Sequence, residues 1–377
     1  MSKHLAFILL FITVNSYAQF TISGKIINKT TGKPVASAVA FLNKTGIAAT
    51  ASDSGRFTLK DVPAGHYLLL VTIVGYDAYK VPITVSGDTH LPVIRIDPKN
   101  ETLRGVTVQA KYKPSPYYYL FRNEFLGSTL FAQQCKIANP WVIIFYNTGK
   151  QGNYSAKSDD FIDIENDALG YKIKVLLIYF TKDSNTDQTS YDGNSYFEEM
   201  KGTPEQERTW AKNRMECYRG STMQFLRAIL AGTTKQEGFR IRKAYLQKNP
   251  YYDPMEIYDD PTDDEYLYKI TDTTVSEVDI INKTNRPGLF ALTRGSTNPN
   301  ACMYIEYHEP AYYLDGKKAP RIPWIWTNTD SYILFEKPYT VFDYNGIINT
   351  NGNVMFTGFF AEARIANQLP VDFEPTQ

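Results

Sequence analysis

A chain of 377 residues with 40 Lys plus Arg against 40 Asp plus Glu has no formal net charge, so it lacks the whole-chain positive field on which sequence-independent nucleic-acid binding depends. Apolar residues make up 43% of it, enough for one large core or two ordinary ones, which excludes a disordered tail. The three cysteines, Cys135, Cys217 and Cys302, are odd in number and far apart in the chain, so they form neither a CxxC pair nor a zinc pattern; they read as small buried apolar side chains, with a single bridge as the alternative in an oxidising compartment.

Lys3 with His4 supplies a short basic start. Residues 5–14 are apolar apart from Thr13, and Ser16-Tyr17-Ala18 is a small-x-small cleavage pattern, so residues 1–18 are expected to be a signal peptide. An apolar run of about ten residues spans roughly 15 Å as a helix, half of a ~30 Å hydrocarbon core, and no later stretch is longer. No transmembrane segment is expected in the mature chain. Gln19 rather than Cys follows the cleavage site, which argues against a lipid-modified N-terminus. The expected location is outside the cytoplasm: periplasm, outer-membrane associated, or secreted.

Residues 19–110 alternate short apolar runs with turn signals. Phe20, Ile22 and Ile26 share one face, residues 28–34 turn the chain, and strands are expected at 38–42, 56–59, 66–74, 79–85, 91–96 and 106–108. Asp53-Ser54-Gly55, Pro63-Ala64-Gly65, Gly75 and Ser86-Gly87-Asp88 are the expected reversals. About seven strands in this length is the density of a small all-β sandwich. The runs Ser23-Gly24-Lys25-Ile26-Ile27, Gly32-Lys33-Pro34-Val35, Ser52-Asp53-Ser54-Gly55-Arg56-Phe57, Val62-Pro63-Ala64-Gly65-His66-Tyr67-Leu68 and Val74-Gly75-Tyr76 resemble the carboxypeptidase-regulatory-like domain. That resemblance implies a transthyretin-like (prealbumin-like) β-sandwich, which in its family is an accessory to zinc carboxypeptidases or an N-terminal extension of TonB-dependent receptors in diderm bacteria, and is not itself catalytic.

Residues 19–113 hold 12 basic and 6 acidic residues, whereas residues 114–377 hold 27 and 34. The change of sign and the composition Lys111-Tyr112-Lys113-Pro114-Ser115-Pro116 place a linker at 111–116 and a mixed α+β domain at 117–377. Two short helices are expected over 117–135, broken at Gly127-Ser128, then a strand at 141–146 and a hairpin from 162–164 through Asn166–Gly170 to 171–181. Thr203-Pro204-Glu205-Gln206 starts a helix running to about Arg219. Gly220 breaks it, Ser221 caps a second and largely buried helix ending at Gly232, and strands follow, best at 301–307 and 332–335. Asn345-Gly346 and Asn351-Gly352 are hairpin-turn pairs, and a last helix is expected over 358–368. The runs Phe125-Leu126-Gly127-Ser128, Cys135-Lys136-Ile137-Ala138-Asn139-Pro140, Tyr218-Arg219-Gly220-Ser221, Phe225-Leu226-Arg227 and residues 364–370 resemble the domain that commonly follows the regulatory-like module in exported proteins of diderm bacteria. The resemblance implies no chemistry, and its pattern carries a His where this chain has Gln224.

No catalytic, cofactor-binding or metal-binding residue is assigned. A zinc carboxypeptidase needs two His and a Glu, and His66, His90 and His308 lack the spacing. Gly-x-Ser-x-Gly, GxxxxGK[ST] and GxGxxG are absent, and capping explains Ser221 at a helix start. The acidic stretch Asp253, Glu256, Asp259, Asp260, Asp263, Asp264 and Glu265 has the oxygen ligands of a calcium site without the glycine-centred loop, and reads as a solvated, Pro-broken loop. Tyr117-Tyr118-Tyr119, Tyr251-Tyr252, Tyr312-Tyr313, Trp324 and Trp326 read as aromatics of half-buried sheets, with sugar stacking as the alternative. The expected function is that of an exported, non-catalytic envelope protein that binds or scaffolds an envelope protein or a glycan, with no cofactor and no nucleic acid. The alternative is a polysaccharide or peptide hydrolase with an unrecognised site in 117–377, which paired carboxylates would reveal. A TonB-dependent transporter is not expected, since a 22-stranded barrel with its plug needs far more than the residues that follow the module.

Overall fold

The computed structural model describes residues 19–99, 114–147, 149, 152–184, 186, 188–250, 266–286, 288–308, 313–314, 317–318, 330–348 and 353–375. The expected signal peptide, the strand at 106–108, the acidic stretch, Tyr251, Tyr252, Tyr312, Trp324, Trp326 and the Asn351-Gly352 turn lie outside them. The chain divides into two units, Met1–Phe41 with Ile47–Asn100 and Leu42–Gly46 with Glu101–Gln377.

The first unit carries β1 (Gln19–Asn28), β2 (Val39–Leu42), β3 (Ala48–Thr50), β4 (Arg56–Pro63), β5 (Gly65–Thr72), β6 (Tyr79–Val85), β7 (Thr89–His90) and β8 (Ile94–Ile96). One sheet runs β4-β1-β7 with β8 also on β1, and the other runs β3-β2-β5-β6. Period-two burial drives both, with Ile22, Ile26, Phe57 and Leu59 inside on the first and Tyr67, Leu69 and Val71 inside on the second. This is the expected β-sandwich, with eight strands among the described residues. Asn28 Oδ1 accepts from the Thr30 and Thr31 N–H groups and closes the expected turn. Pro63-Ala64-Gly65, an expected turn, joins the two sheets. There β4 ends in one sheet and β5 begins in the other, so the chain changes sheets instead of doubling back within one.

The second unit opens with α1 (Tyr118–Leu126) and α2 (Leu130–Gln133), separated at Gly127 as expected. Its first sheet contains β9 (Cys135–Ile137), β10 (Ile143–Asn147), β11 (Tyr154–Ser158), β12 (Ile162–Asn166), β13 (Tyr171–Asp183) and β14 (Gln188–Glu199), in the order β10-β11-β13-β12-β9 with β14 also along β13. The β12–β13 hairpin matches its expectation. The strand expected from 141 starts at Ile143, because Pro140–Val142 winds as a 3-10 turn that Pro140 begins. α3 (Pro204–Tyr218) and α4 (Thr222–Ala231) follow. Thr203 and Gln206 form a reciprocal capping box on α3, Ser221 caps α4, and Gly232 ends α4 in the left-handed conformation, each as the sequence predicts.

The remaining strands are β15 (Phe239–Lys248), β16 (Tyr266–Thr274), β17 (Ile281–Lys283), β18 (Leu289–Thr293), β19 (Ala301–Tyr307), β20 (Tyr313–Leu314), β21 (Lys317–Lys318), β22 (Ser331–Phe335), β23 (Tyr339–Asp343) and β24 (Val354–Gly358). They build a five-stranded sheet β16-β15-β19-β22-β24, a three-stranded sheet β17-β18-β23 and the pair β20-β21, with the short helix α5 (Glu277–Ile280) leading into β17.

Two large hydrophobic cores lie among the described residues of this unit, beside a smaller cluster of Ala244, Cys302 and Tyr304 on the five-stranded sheet. One packs α1, α2 and the end of α3 on the first sheet around Phe121, Phe125, Tyr154 and Phe180, with ring centroids 4.8 Å apart for Phe121–Phe125 and 4.9 Å for Phe121–Phe180. The other packs α4 on the five-stranded sheet through Phe225, Ile229, Ile305 and Ile333. Each such fully buried side chain contributes roughly 1.5–3 kcal/mol.

The helix expected over 358–368 is broken. Only α6 (Phe359–Glu362) is α-helical, Ala363 and Arg364 leave helical geometry, and a 3-10 turn covers Ile365–Asn367. Phe359 and Phe360 insert into the second core while Ile365, Ala366 and Leu369 insert into the first, and the break re-aims the chain from one core to the other.

Candidate functional site

The residues singled out from sequence are not brought together. His66 pairs with Thr84 (Nδ1 to Oγ1, 2.9 Å) and His90 with Ser23 (2.9 Å) on solvent-facing strand positions of the first unit, while His308 is exposed beyond β19. Cys135, Cys217 and Cys302 are free and buried. Burial pushes the Cys135 thiol up to about 12 and the Cys302 thiol up to about 11, and raises that of Cys217 as well. Such thiols are inert near neutral pH. Ser221 Oγ accepts from the Gln224 N–H at 3.1 Å, which is the capping role. Tyr117 stacks on Tyr154 with centroids 5.1 Å apart and so belongs to the wall of the first core, whereas Tyr119 is exposed. Among the described residues no three His, Cys, Asp or Glu side chains gather as a metal-binding group.

What converges instead is a seam between the two cores of the second unit. The chain crosses it at Gly220, between α3 and α4, and again at Ala363, after α6. Gly220 has φ +71°, and a Cβ there would lie 2.7 Å from Tyr307 Cδ1 and 2.9 Å from Phe359 Cε1, so only glycine fits. Gln224 is buried beside it, where its Oε1 accepts from the Gly220 N–H at 2.6 Å and its Nε2 donates to Glu237 at 2.7 Å. Asn367 is held by Thr129 (2.9 Å) and reaches Cys217 Sγ (3.6 Å), and Asn166 Nδ2 donates to the Ala366 carbonyl at 2.9 Å. Arg227 fixes the last stretch, donating to the carbonyls of Asn345, Phe373 and Val371 at 3.2, 3.0 and 2.9 Å.

A cavity of about 310 Å³ lies along this seam. Its apolar wall includes Phe197, Met223, Ile348, Phe356, Phe360 and Leu369, and its polar groups include Lys44, Ser221, Thr222, Asn367 and Gln368. An apolar enclosure with a few polar groups is the usual make-up of a small-molecule site. Sequence reasoning passed over Lys44, which lies just after the strand expected at 38–42. The segment Leu42–Gly46 nevertheless counts with the second unit. The Lys44 N–H donates to the Ser195 carbonyl at 2.6 Å, its carbonyl accepts from the Val371 N–H at 2.8 Å, and its φ of +63° is unusual for a residue with a side chain. Although half-buried by area, its ammonium is poorly solvated, and burial lowers its pKa against the opposing pull of Asp192 and Asp343.

A second cavity of about 380 Å³ is lined by Tyr171, Glu199, Arg214 and Asp372. Arg214 lies 3.9 Å from the Tyr171 ring centroid and 2.7 Å from Glu199, and Asp372 accepts from the Gly46 N–H at 2.9 Å. Burial raises the pKa of Asp372.

Among the described residues no helix is long and apolar enough to cross a membrane. No curated protein matches the chain. Similar solved structures include a cohesin–X-dockerin complex from Acetivibrio cellulolyticus, at 26% identity over 20% of this chain and 56% of that one with a TM-score of 0.19, so this chain spans about half of that relative's length. A DUF3823 family protein from Bacteroides ovatus is 15% identical over 49% of this chain and 83% of its own, with a TM-score of 0.18. Another from Bacteroides uniformis is 9% identical over 78% and 92%, with a TM-score of 0.17. The family model of the CarboxypepD_reg-like domain matches residues 22–110, the stretch that carries the sandwich, and that part of the chain is a CarboxypepD_reg-like domain.

Proposed function

We propose that the protein is an exported, non-catalytic binding protein of the cell envelope. In this reading residues 1–18 are a signal peptide, 19–110 an interaction module, 111–116 a linker and 117–377 the recognition domain. The seam cavity carries the reading: about 310 Å³ of mostly apolar enclosure whose nearby cysteines are buried thiols and whose serine is a helix cap. Such a wall suits retention of a small ligand: burial raises the Cys217 thiol and the Ser221 hydroxyl accepts a capping N–H, which supports binding over bond cleavage. The accessory role of regulatory-like domains supports the same class.

The test uses the full chain expressed in a diderm host. Fractionation followed by N-terminal sequencing should find a mature protein beginning at Gln19 outside the cytoplasm. Native mass spectrometry of that material should find a small molecule retained, released on unfolding and absent from a Met223→Trp variant that fills the cavity. A cytoplasmic, uncleaved chain would overturn the export reading. Turnover of polysaccharide or peptide by the purified protein would overturn the non-catalytic one.

A further inference from the structure

Lys44 is an expensive residue in its position. Its left-handed backbone favours Gly or Asn, at roughly 1 kcal/mol against a longer side chain. Its backbone is pinned on both sides, by Ser195 of β14 and by Val371 of the C-terminal stretch, so the loop cannot relax to free it. Lys44 lines a mostly apolar cavity, and burial lowers the pKa of its ammonium. Two unfavourable choices on one residue are accounted for if the side chain itself is used.

The surroundings define what would use it. Two carboxylates share its field, Asp192 on β14 and Asp343 at the end of β23. Asp343 Oδ1 accepts from the N–H groups of Asn345 and Ile347, both at 3.0 Å, which closes its own turn. On the same cavity wall stand the hydroxyls of Ser221 and Thr222. Ser221 Oγ accepts from the Gln224 N–H and thus keeps its O–H proton to donate. The cavity is also lined by Met223, Ile348, Phe356 and Leu369, which offer an apolar surface. The volume of about 310 Å³ holds about ten non-hydrogen atoms at the ~30 Å³ that a liquid water occupies.

Building on the reading of the seam cavity as a ligand site, we infer that its ligand is a small amphipathic anion: an apolar body of eight or so carbons against the apolar wall, and a carboxylate or similar head on Lys44 with the Ser221 and Thr222 hydroxyls. The head neutralises an ammonium that the fold leaves poorly solvated, and the body covers apolar surface. A neutral molecule of the same shape satisfies only the second requirement.

Octanoate and 1-octanol, nearly equal in size and differing in charge, separate the two. In calorimetric titrations of the full-length mature protein, octanoate should bind about tenfold more tightly than 1-octanol, the discrimination expected of one charge-assisted contact. Lys44→Met should remove that preference and leave 1-octanol binding within about twofold, and Lys44→Arg, which retains the charge, should keep the preference within about threefold. Equal binding of the two probes by the unaltered protein, or a preference that survives Lys44→Met, would refute the anionic ligand while leaving the cavity as a binding site. No binding of either probe at millimolar concentration would remove both readings. Should Lys44→Met fail to fold, the comparison of probes on the unaltered protein and on Lys44→Arg still decides the matter.

Discussion

Replacing Arg227 by Lys keeps the charge and removes the planar fork, which makes it a sharp test of the seam. The guanidinium donates to three carbonyls, of Asn345, Phe373 and Val371, at 3.2, 3.0 and 2.9 Å, and its carbon lies 5.7 Å from the Tyr218 ring centroid. An ammonium at the end of a flexible stem reaches one of these carbonyls and loses the other two. Hydrogen bonds from a charged donor contribute about 1.5–3 kcal/mol each, and the deserted carbonyls recover part of that from water, so Arg227→Lys should cost about 2–4 kcal/mol. For a unit of this size that lowers Tm by roughly 5–15 °C. Urea unfolding gives the energy, and native-state hydrogen exchange gives the place. The Val371 N–H, bonded to the Lys44 carbonyl at 2.8 Å, and the Phe373 N–H, bonded to Pro370 at 2.9 Å, should lose protection before the strands of the first sheet do. A variant within about 0.5 kcal/mol of the parent, with both amides unchanged, would show that Arg227 does not hold the C-terminal stretch.

Gly220→Ala should destabilise by about 2–5 kcal/mol in chemical denaturation, from the left-handed backbone and from the clash of the new methyl with Tyr307 and Phe359; a neutral result would mean that the crossing can shift. Gln224→His should be tolerated within about 1.5 kcal/mol, since a neutral imidazole offers the same one acceptor for the Gly220 N–H and one donor for Glu237; a loss twice as large would show that the amide is required. A disulfide reagent at pH 8 should leave the native protein unmodified and titrate its three thiols in guanidinium, because a thiol near 11, such as Cys302, is about one part in a thousand thiolate at that pH. Asp88 accepts from the Thr21 N–H at 2.8 Å and hydroxyl at 3.0 Å, which holds its carboxyl below the usual carboxylate range. Its contribution is therefore full above that range and lost as the pH falls through the lowered value, so the pH dependence of Thr21 amide exchange in acid should disappear in Asp88→Asn.

Signals confined to a few neighbouring residues were legible and those spread through space were not. The caps at Thr203 and Ser221, the left-handed stop at Gly232 and the β12–β13 hairpin depend on side chains within four or so residues of one another, and all four are where the sequence places them. β14 was missed because Asp192-Gly193-Asn194 has turn composition yet sits mid-strand. The β13–β14 register shifts there, between Leu177 and Tyr179, and Gly193 lies so close to the partner strand that a Cβ would be 2.9 Å from the Leu176 carbonyl. The last helix was misread for the opposite reason. Residues 358–368 carry helical apolar spacing, but Phe360 and Ile365 serve different cores, a division that no periodicity encodes.

The candidate site follows the same logic. Its contacts join Thr129 to Asn367, Asn166 to Ala366 and Gly46 to Asp372, pairs separated by 238, 200 and 326 residues. No local pattern announces such a site. The short runs singled out in the second half of the sequence nevertheless mark its place: Gly127 packs on Arg364, Gly220 and Ser221 turn α3 into α4, Arg227 ties down Val371, and residues 364–370 thread between the cores. Those runs specify how two cores are joined, and a join between two close-packed bodies that meet along a twice-crossed line is where packing is hardest to complete. The cavity is thus a consequence of the architecture, and what gives it chemical character is a residue from outside those runs, Lys44, brought in by the five-residue segment Leu42–Gly46.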